Sequence, residues 1–186
     1  FSKRPVMHVM QNNAVPNARA LHFWRQSVAY LRKSNLQCFK PGKLLNCCVQ
    51  WNSDKTGYEI AFKNATFWSN QEHWNWATKP NKRERASFLT ENIMPLKTNG
   101  KLKHVPVPDV DILHESSLGF DVFFANGHTD KQMIPMISYK GETICFMADL
   151  LPTVGHLSVP FVMGYDTRPL LTLDEKERFL NLAADQ

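Results

Sequence analysis

The chain has 186 residues, 43% of them hydrophobic and 21% charged, with a formal net charge of +5. That suits one globular domain, or one domain plus an extension, with a sizeable buried core. No apolar run approaches the ~20 residues a bilayer-spanning helix needs, and nothing behind Phe1-Ser2-Lys3-Arg4-Pro5 reads as the apolar stretch of a signal peptide.

Cys38, Cys47, Cys48 and Cys145 show no C-x-x-C spacing, which argues against a zinc ribbon or a disulfide scaffold. They read as reduced, non-ligand thiols of a cytoplasmic protein. The charge is unevenly spread. Residues 1–52 hold eight basic residues and no Asp or Glu, which leaves 14 basic and 17 acidic residues, a net of −3, in 53–186. The basic segment is either a nucleic-acid-binding arm or sequence foreign to the domain that follows.

In 1–52 the apolar residues keep no sustained period. A short helix over Ala18–Lys33 is the one element suggested, on a face of Ala20, Trp24, Ser27, Val28 and Leu31, and Pro41-Gly42 ends whatever precedes it. From 53 onward the signals improve. Tyr58–Phe62 alternates as a strand does, and Gln71–Ala77 reads as a short aromatic helix. Asn81 with Glu84 resembles a capping box, so a helix is expected to start there, run to about Asn92 and stop before Pro95. Strands are expected within Leu102–Val107, Phe120–Ala125, Met133–Tyr139 and Glu142–Ala148, the last two joined as a hairpin at Lys140-Gly141. Thr172 with Glu175 forms a second capping box, opening a helix from Leu173 to about Ala184. The mixture of hairpins and amphipathic helices is α+β, helices packed on sheets.

His128, in Gly127-His128-Thr129, and Asp149, in Ala148-Asp149-Leu150, each stand where a strand should stop. Such a place lets a rigid sheet hold a metal ligand open to a substrate. A lone His is more often structural, whereas an Asp after a buried strand needs a metal or a dense set of donors to offset its desolvation. Two ligands do not make a catalytic zinc site, which normally has three from the protein plus water.

The run Gly127-His128-Thr129-x-x-x-Met133-x-Pro135, then Ala148-Asp149-Leu150-x-Pro152-Thr153-x-x-His156, then Gly164-Tyr165-Asp166-Thr167-x-Pro169, resembles the metallo-β-lactamase fold hydrolases. The resemblance is to the branch with lactonase-like and methyl parathion hydrolase-like enzymes. Asn64-Ala65-Thr66-Phe67-Trp68, His73-Trp74, Pro80-Asn81-x-Arg83-Glu84 and Ser87-Phe88-Leu89-x-Glu91-Asn92 extend it, so that it covers about residues 54–186. It implies a four-layer αββα sandwich, incomplete here, with a two-zinc site at one edge of the sheets. His128 would be the second-site histidine, and Asp149 the catalytic carboxylate bridging both metals. A hydroxide held between the zincs would attack an ester, lactone or phosphotriester.

The sequence departs from that pattern. The family's His-x-His-x-Asp-His motif should lie shortly before Tyr58, yet no two of the seven histidines are two residues apart. A last histidine beyond the final helix is also missing. His156 either lines the metal pocket or packs its own loop, and Asp166 either acts behind the metal ligands or stabilises a turn. Trp68, Trp74 and Trp76 could wall a substrate pocket, but core packing is the better expectation, and His73, His104 and His114 read as structural.

The resulting expectation is a basic segment over 1–52 and the later part of a metallo-β-lactamase-like domain over 53–186. Its function would be metal-dependent hydrolysis of a small-molecule substrate. The alternative is a non-catalytic remnant with an incomplete metal site. Exposed sheet edges would then invite self-association. Nucleic-acid binding through Trp24, Arg19 and Arg25 is the weakest reading.

Overall fold

A computed structural model describes residues 49–185 in full, and the strand backbones at 7–10 and 37–39. The expected helix over Ala18–Lys33 lies outside the described residues. In chain order the strands and helices are β1 (Met7–Met10), β2 (Gln37–Phe39), β3 (Val49–Trp51), β4 (Tyr58–Ile60), β5 (Thr66–Ser69), α1 (Gln71–Thr78) and α2 (Thr90–Thr98). There follow β6 (Leu102–His104), β7 (Ile112–Leu113), β8 (Asp121–Ala125), β9 (Gln132–Tyr139), β10 (Glu142–Phe146), a 3₁₀ turn at Val154–His156 and α3 (Pro169–Ala184). No helix among the described residues is long and apolar enough to cross a membrane.

These elements form two compact units, one built from β1 with 106–185, the other from β2 with 49–105. The boundary at residue 52 is therefore one of composition, while the boundary of contacts falls between 105 and 106. Both units take a strand from the basic segment.

The first unit carries the sheet β1-β10-β9-β8-β7, in which β1 runs parallel to β10 and the other neighbours are antiparallel. The β9–β10 hairpin forms where expected. Lys140 and Gly141 both take positive φ, 53° and 80°, the backbone of a tight two-residue hairpin turn whose twist matches its strands. In β8, Val122, Phe123, Phe124 and Ala125 are all buried. Phe123 meets Phe179 of α3 edge-on at 5.2 Å, within a core that includes Ile134, Met136, Cys145, Met147 and Leu151. Burial pushes the Cys145 thiol up to about 12.

The start of α3 differs from expectation. It begins at Pro169, four residues before Leu173, because proline has the helical φ and no N–H to leave unpaired in the first turn. Thr172 and Glu175 do not cap it; Glu175 is drawn to another segment.

The second unit holds the sheet β2-β5-β6, with parallel neighbours, and the hairpin β3–β4. Its core joins Val49, Ile60, Phe67 and Leu96, and a satellite joins Trp74, Ala77, Phe88 and Ile93. Around Asn81 half of the expected capping box forms, Glu84 N–H donating to Asn81 Oδ1 at 3.0 Å, while the Glu84 carboxylate accepts from the Asn81 side chain, Nδ2 to Oε2 at 2.7 Å, where a capping box uses the backbone N–H. No helix follows, since residues 82–87 only turn. Glu84 instead accepts from Trp76 Nε1 at 2.7 Å, which ties the turn back to α1. The helix comes later, at Thr90–Thr98, and contains Pro95. Burial of Ile93 and Leu96 offsets the backbone hydrogen bond that proline removes.

Candidate metal centre

Two turns at the ends of strands bring the candidate residues together in the first unit. The first follows β8. Its backbone is pinned by groups nearly forty or more residues away: Glu175 accepts from Asn126 N–H at 2.7 Å and Gly127 N–H at 2.8 Å. Arg168 donates from Nε to Asn126 O at 3.0 Å and from its terminal nitrogen to Asp130 Oδ1 at 2.7 Å. Arg168 N–H also bonds Gly127 O at 2.8 Å. The preceding residue, Thr167, donates to His128 O from both N–H and hydroxyl. Only glycine fits at 127, because a Cβ there would lie 2.2–2.4 Å from atoms of Thr172.

The second turn follows β10. Ala148 takes a left-handed φ of 45°, a conformation that costs a non-glycine residue roughly 1–2 kcal/mol. The turn closes through Leu150 N–H to Met147 O at 3.1 Å. Strain of this kind concentrates where a side chain has to be aimed, and the residue it presents is Asp149.

His128 lies between two carboxylates. Its Nδ1 bonds Asp166 Oδ1 at 2.8 Å, and its Nε2 stands 3.3 Å from Asp149 Oδ2. All three residues are buried, at 3%, 3% and 8% exposure for His128, Asp166 and Asp149. Burial alone would lower the His128 pKa, but hydrogen bonds to Asp149 and Asp166, with the charges of both, outweigh it and raise the value to about 9. The second oxygen of Asp166, Oδ2, is buried with no hydrogen-bond partner among the described residues.

The two contacts of His128 differ in kind. The Nδ1–Asp166 distance is that of a charge-assisted hydrogen bond, the contact by which a carboxylate fixes the ring of a metal-bound histidine. The Nε2–Asp149 distance of 3.3 Å is long for such a bond. It is close to the ~3.4 Å that separates a nitrogen and an oxygen bound tetrahedrally to one zinc ion. The pair thus matches one edge of a coordination sphere. It does not make a centre: among the described residues no group of three or more His, Cys, Asp or Glu is placed to hold a metal ion. A dizinc site does not fit these residues alone.

His156 is not brought into this group; its Nδ1 pairs with Thr153 Oγ1 at 2.8 Å inside its own turn. In the second unit, Trp74 is a core residue and Trp76 packs against it, while the amine of Lys103 lies 5.7 Å from the Trp68 ring. His73 packs on Phe88 and His104 on Trp74. His114 pairs with Asp121 in the open.

Sequence reasoning missed Arg168 and Lys176 and gave Glu175 the role of a helix cap. The signal was there: Thr172, Glu175, Lys176 and Phe179 repeat at i, i+3, i+4, i+7, the buried stripe of a helix, with charges where apolar residues belong.

No family model matches the chain and no curated protein does. Solved structures do. A probable metal-dependent hydrolase from Staphylococcus aureus is similar at 24% identity and a TM-score of 0.54, over 67% of this chain and 42% of its own. AbOPH, a hydrolase in the β-lactamase superfamily, is similar at 23% identity and a TM-score of 0.50, over 66% and 45%. AidC, a dizinc quorum-quenching lactonase, is similar at 16% identity and a TM-score of 0.59, over 100% and 67%. The chain spans less than half the length of the first two. What these likenesses share is the fold, and this chain carries part of the metallo-β-lactamase fold.

Proposed function

We propose that the chain belongs to a metal-dependent hydrolase of an ester, lactone or phosphotriester, to which it contributes His128 and Asp149 as a ligand pair. The observation that carries this reading is the 3.3 Å separation of Nε2 and Oδ2 with Asp166 on the opposite ring nitrogen. A divalent metal supplies Lewis-acid activation of water and of the scissile group. The chain's own part is positional. Asp166 holds the His128 ring with Nε2 toward Asp149, the clamped turn after β8 keeps the ring in place, and the strained turn at Ala148 presents the carboxylate. Because Nε2 faces Asp149 with a raised proton affinity, a metal has to displace that proton, so occupancy should rise with pH.

The ligands that would complete the sphere are not among the described residues. The test is hydrolysis of one ester, one lactone and one phosphotriester by the full chain with zinc or cobalt added. Turnover of at least one, abolished by a chelator and by Asp149→Asn, is the expected result. Turnover that survives both, or none with any of the three, contradicts the proposal.

A further inference from the structure

Glu175 and Lys176 are neighbours on α3, both charged and both buried, at 1% and 0% exposure. Burying an ion costs several kcal/mol unless its hydrogen bonds are replaced, and each replaces them on a different loop. The Glu175 carboxylate takes Asn126 N–H, Asn126 Nδ2–H and Gly127 N–H at 2.7, 3.1 and 2.8 Å. The Lys176 ammonium donates to Ser158 O, Val159 O and Phe161 O at 2.6, 3.2 and 2.7 Å. Burial lowers the Lys176 pKa, partly offset by the Asp166 charge.

The first loop carries His128. The second leads into Asp166, through the bond of Asp166 N–H to Met163 O. The two loops meet at the Nδ1–Oδ1 contact. We propose that Glu175 and Lys176 are a positioning pair, one gripping the loop of His128 and the other the loop before Asp166, so that α3 sets the distance between them. Neither is a catalytic residue; both act through backbone they hold. The contact they set is part of the proposed metal-ligand reading, yet it can be observed without any metal.

The test uses the metal-free full chain and reads the imidazole N–H resonance of His128, hydrogen-bonded to Asp166, by ¹H–¹⁵N NMR. Glu175→Gln and Lys176→Met should lose that resonance while the amide signals of β8–β10 persist, and Lys176→Arg should restore it. Phe179→Leu, also on α3 but away from both loops, is the control for destabilisation alone and should keep it. Retention of the resonance in the first two variants overturns the inference. So does its loss in Phe179→Leu at matched stability, since any weakening of α3 would then suffice. If Lys176→Met does not fold, Glu175→Gln alone carries the test; a resonance as sharp there as in the native chain contradicts the clamp. Cobalt titration of the native chain is a separate arm: absent binding removes the ligand-pair reading and leaves the clamp to be judged by the resonance.

Discussion

Glu84 and Glu175 are both buried carboxylates, at 7% and 1% exposure, and they organise their units differently. Glu84 takes its donors from Asn81 and Trp76, three and eight residues away, and so closes a local turn. Glu175 takes its donors from Asn126 and Gly127, more than forty residues away, and the same helix reaches toward Asp166 through Lys176. A local carboxylate can be lost with one turn. A long-range one fixes where a strand-end loop stands against a distant helix, which is what a site at strand ends requires.

The largest effect should come from Gly127→Ala. A Cβ 2.2–2.4 Å from the backbone and side chain of Thr172 has no flexible group to push aside, so the loop has to leave α3. The expected loss is about 3 kcal/mol or more, read as the denaturant midpoint of the first unit's signals. Tolerance of alanine there would break the picture of a loop pressed on the helix.

A smaller effect is expected in the pH dependence. The His128 pKa in the folded chain, about 9, lies above the ordinary ~6.5 of the unfolded chain. Its stabilising proton is therefore fully in place below about pH 6.5 and is lost as pH rises through about 9. The loss is on the order of 3 kcal/mol at most. Metal-free unfolding curves between pH 6 and 10 should show that slope in the native chain and not in His128→Gln. Glu84→Gln should leave the slope unchanged, since its neutral donors do not titrate here, and should cost only roughly 1 kcal/mol. A slope that vanishes in Glu84→Gln would erase the contrast between the two carboxylates.

The smallest effect belongs to Ala148→Gly. At a φ of 45° glycine relieves strain but adds unfolded-state entropy. The two nearly cancel, so stability should move by less than about 1 kcal/mol by thermal melting. A large loss would mean that the Ala148 methyl packs more than its left-handed backbone costs.

What the sequence made legible was local. Lys140-Gly141 announced its hairpin, short apolar runs located β8, β9 and β10, and the strand ends put His128 and Asp149 where a site could form. The contact of His128 with Asp166 joins residues 38 apart, and no spacing rule announces it. Asn81 caps the Glu84 N–H with no helix following, and the Glu84 carboxylate turns to the Asn81 side chain and to Trp76. Pro95 lies within α2 because its neighbours are core residues. The strands at Met7–Met10 and Gln37–Phe39 gain their order from pairing with β10 and β5, and short segments completed by distant partners carry little period of their own.

The central claim, that His128 and Asp149 form one edge of a metal's coordination sphere, is tested most directly by cobalt titration of the full chain followed by its absorption spectrum. The account predicts a single ion, weakly enough held to be removed by dialysis, and absent in Asp149→Asn. No bound cobalt, or binding unchanged in Asp149→Asn, would contradict it.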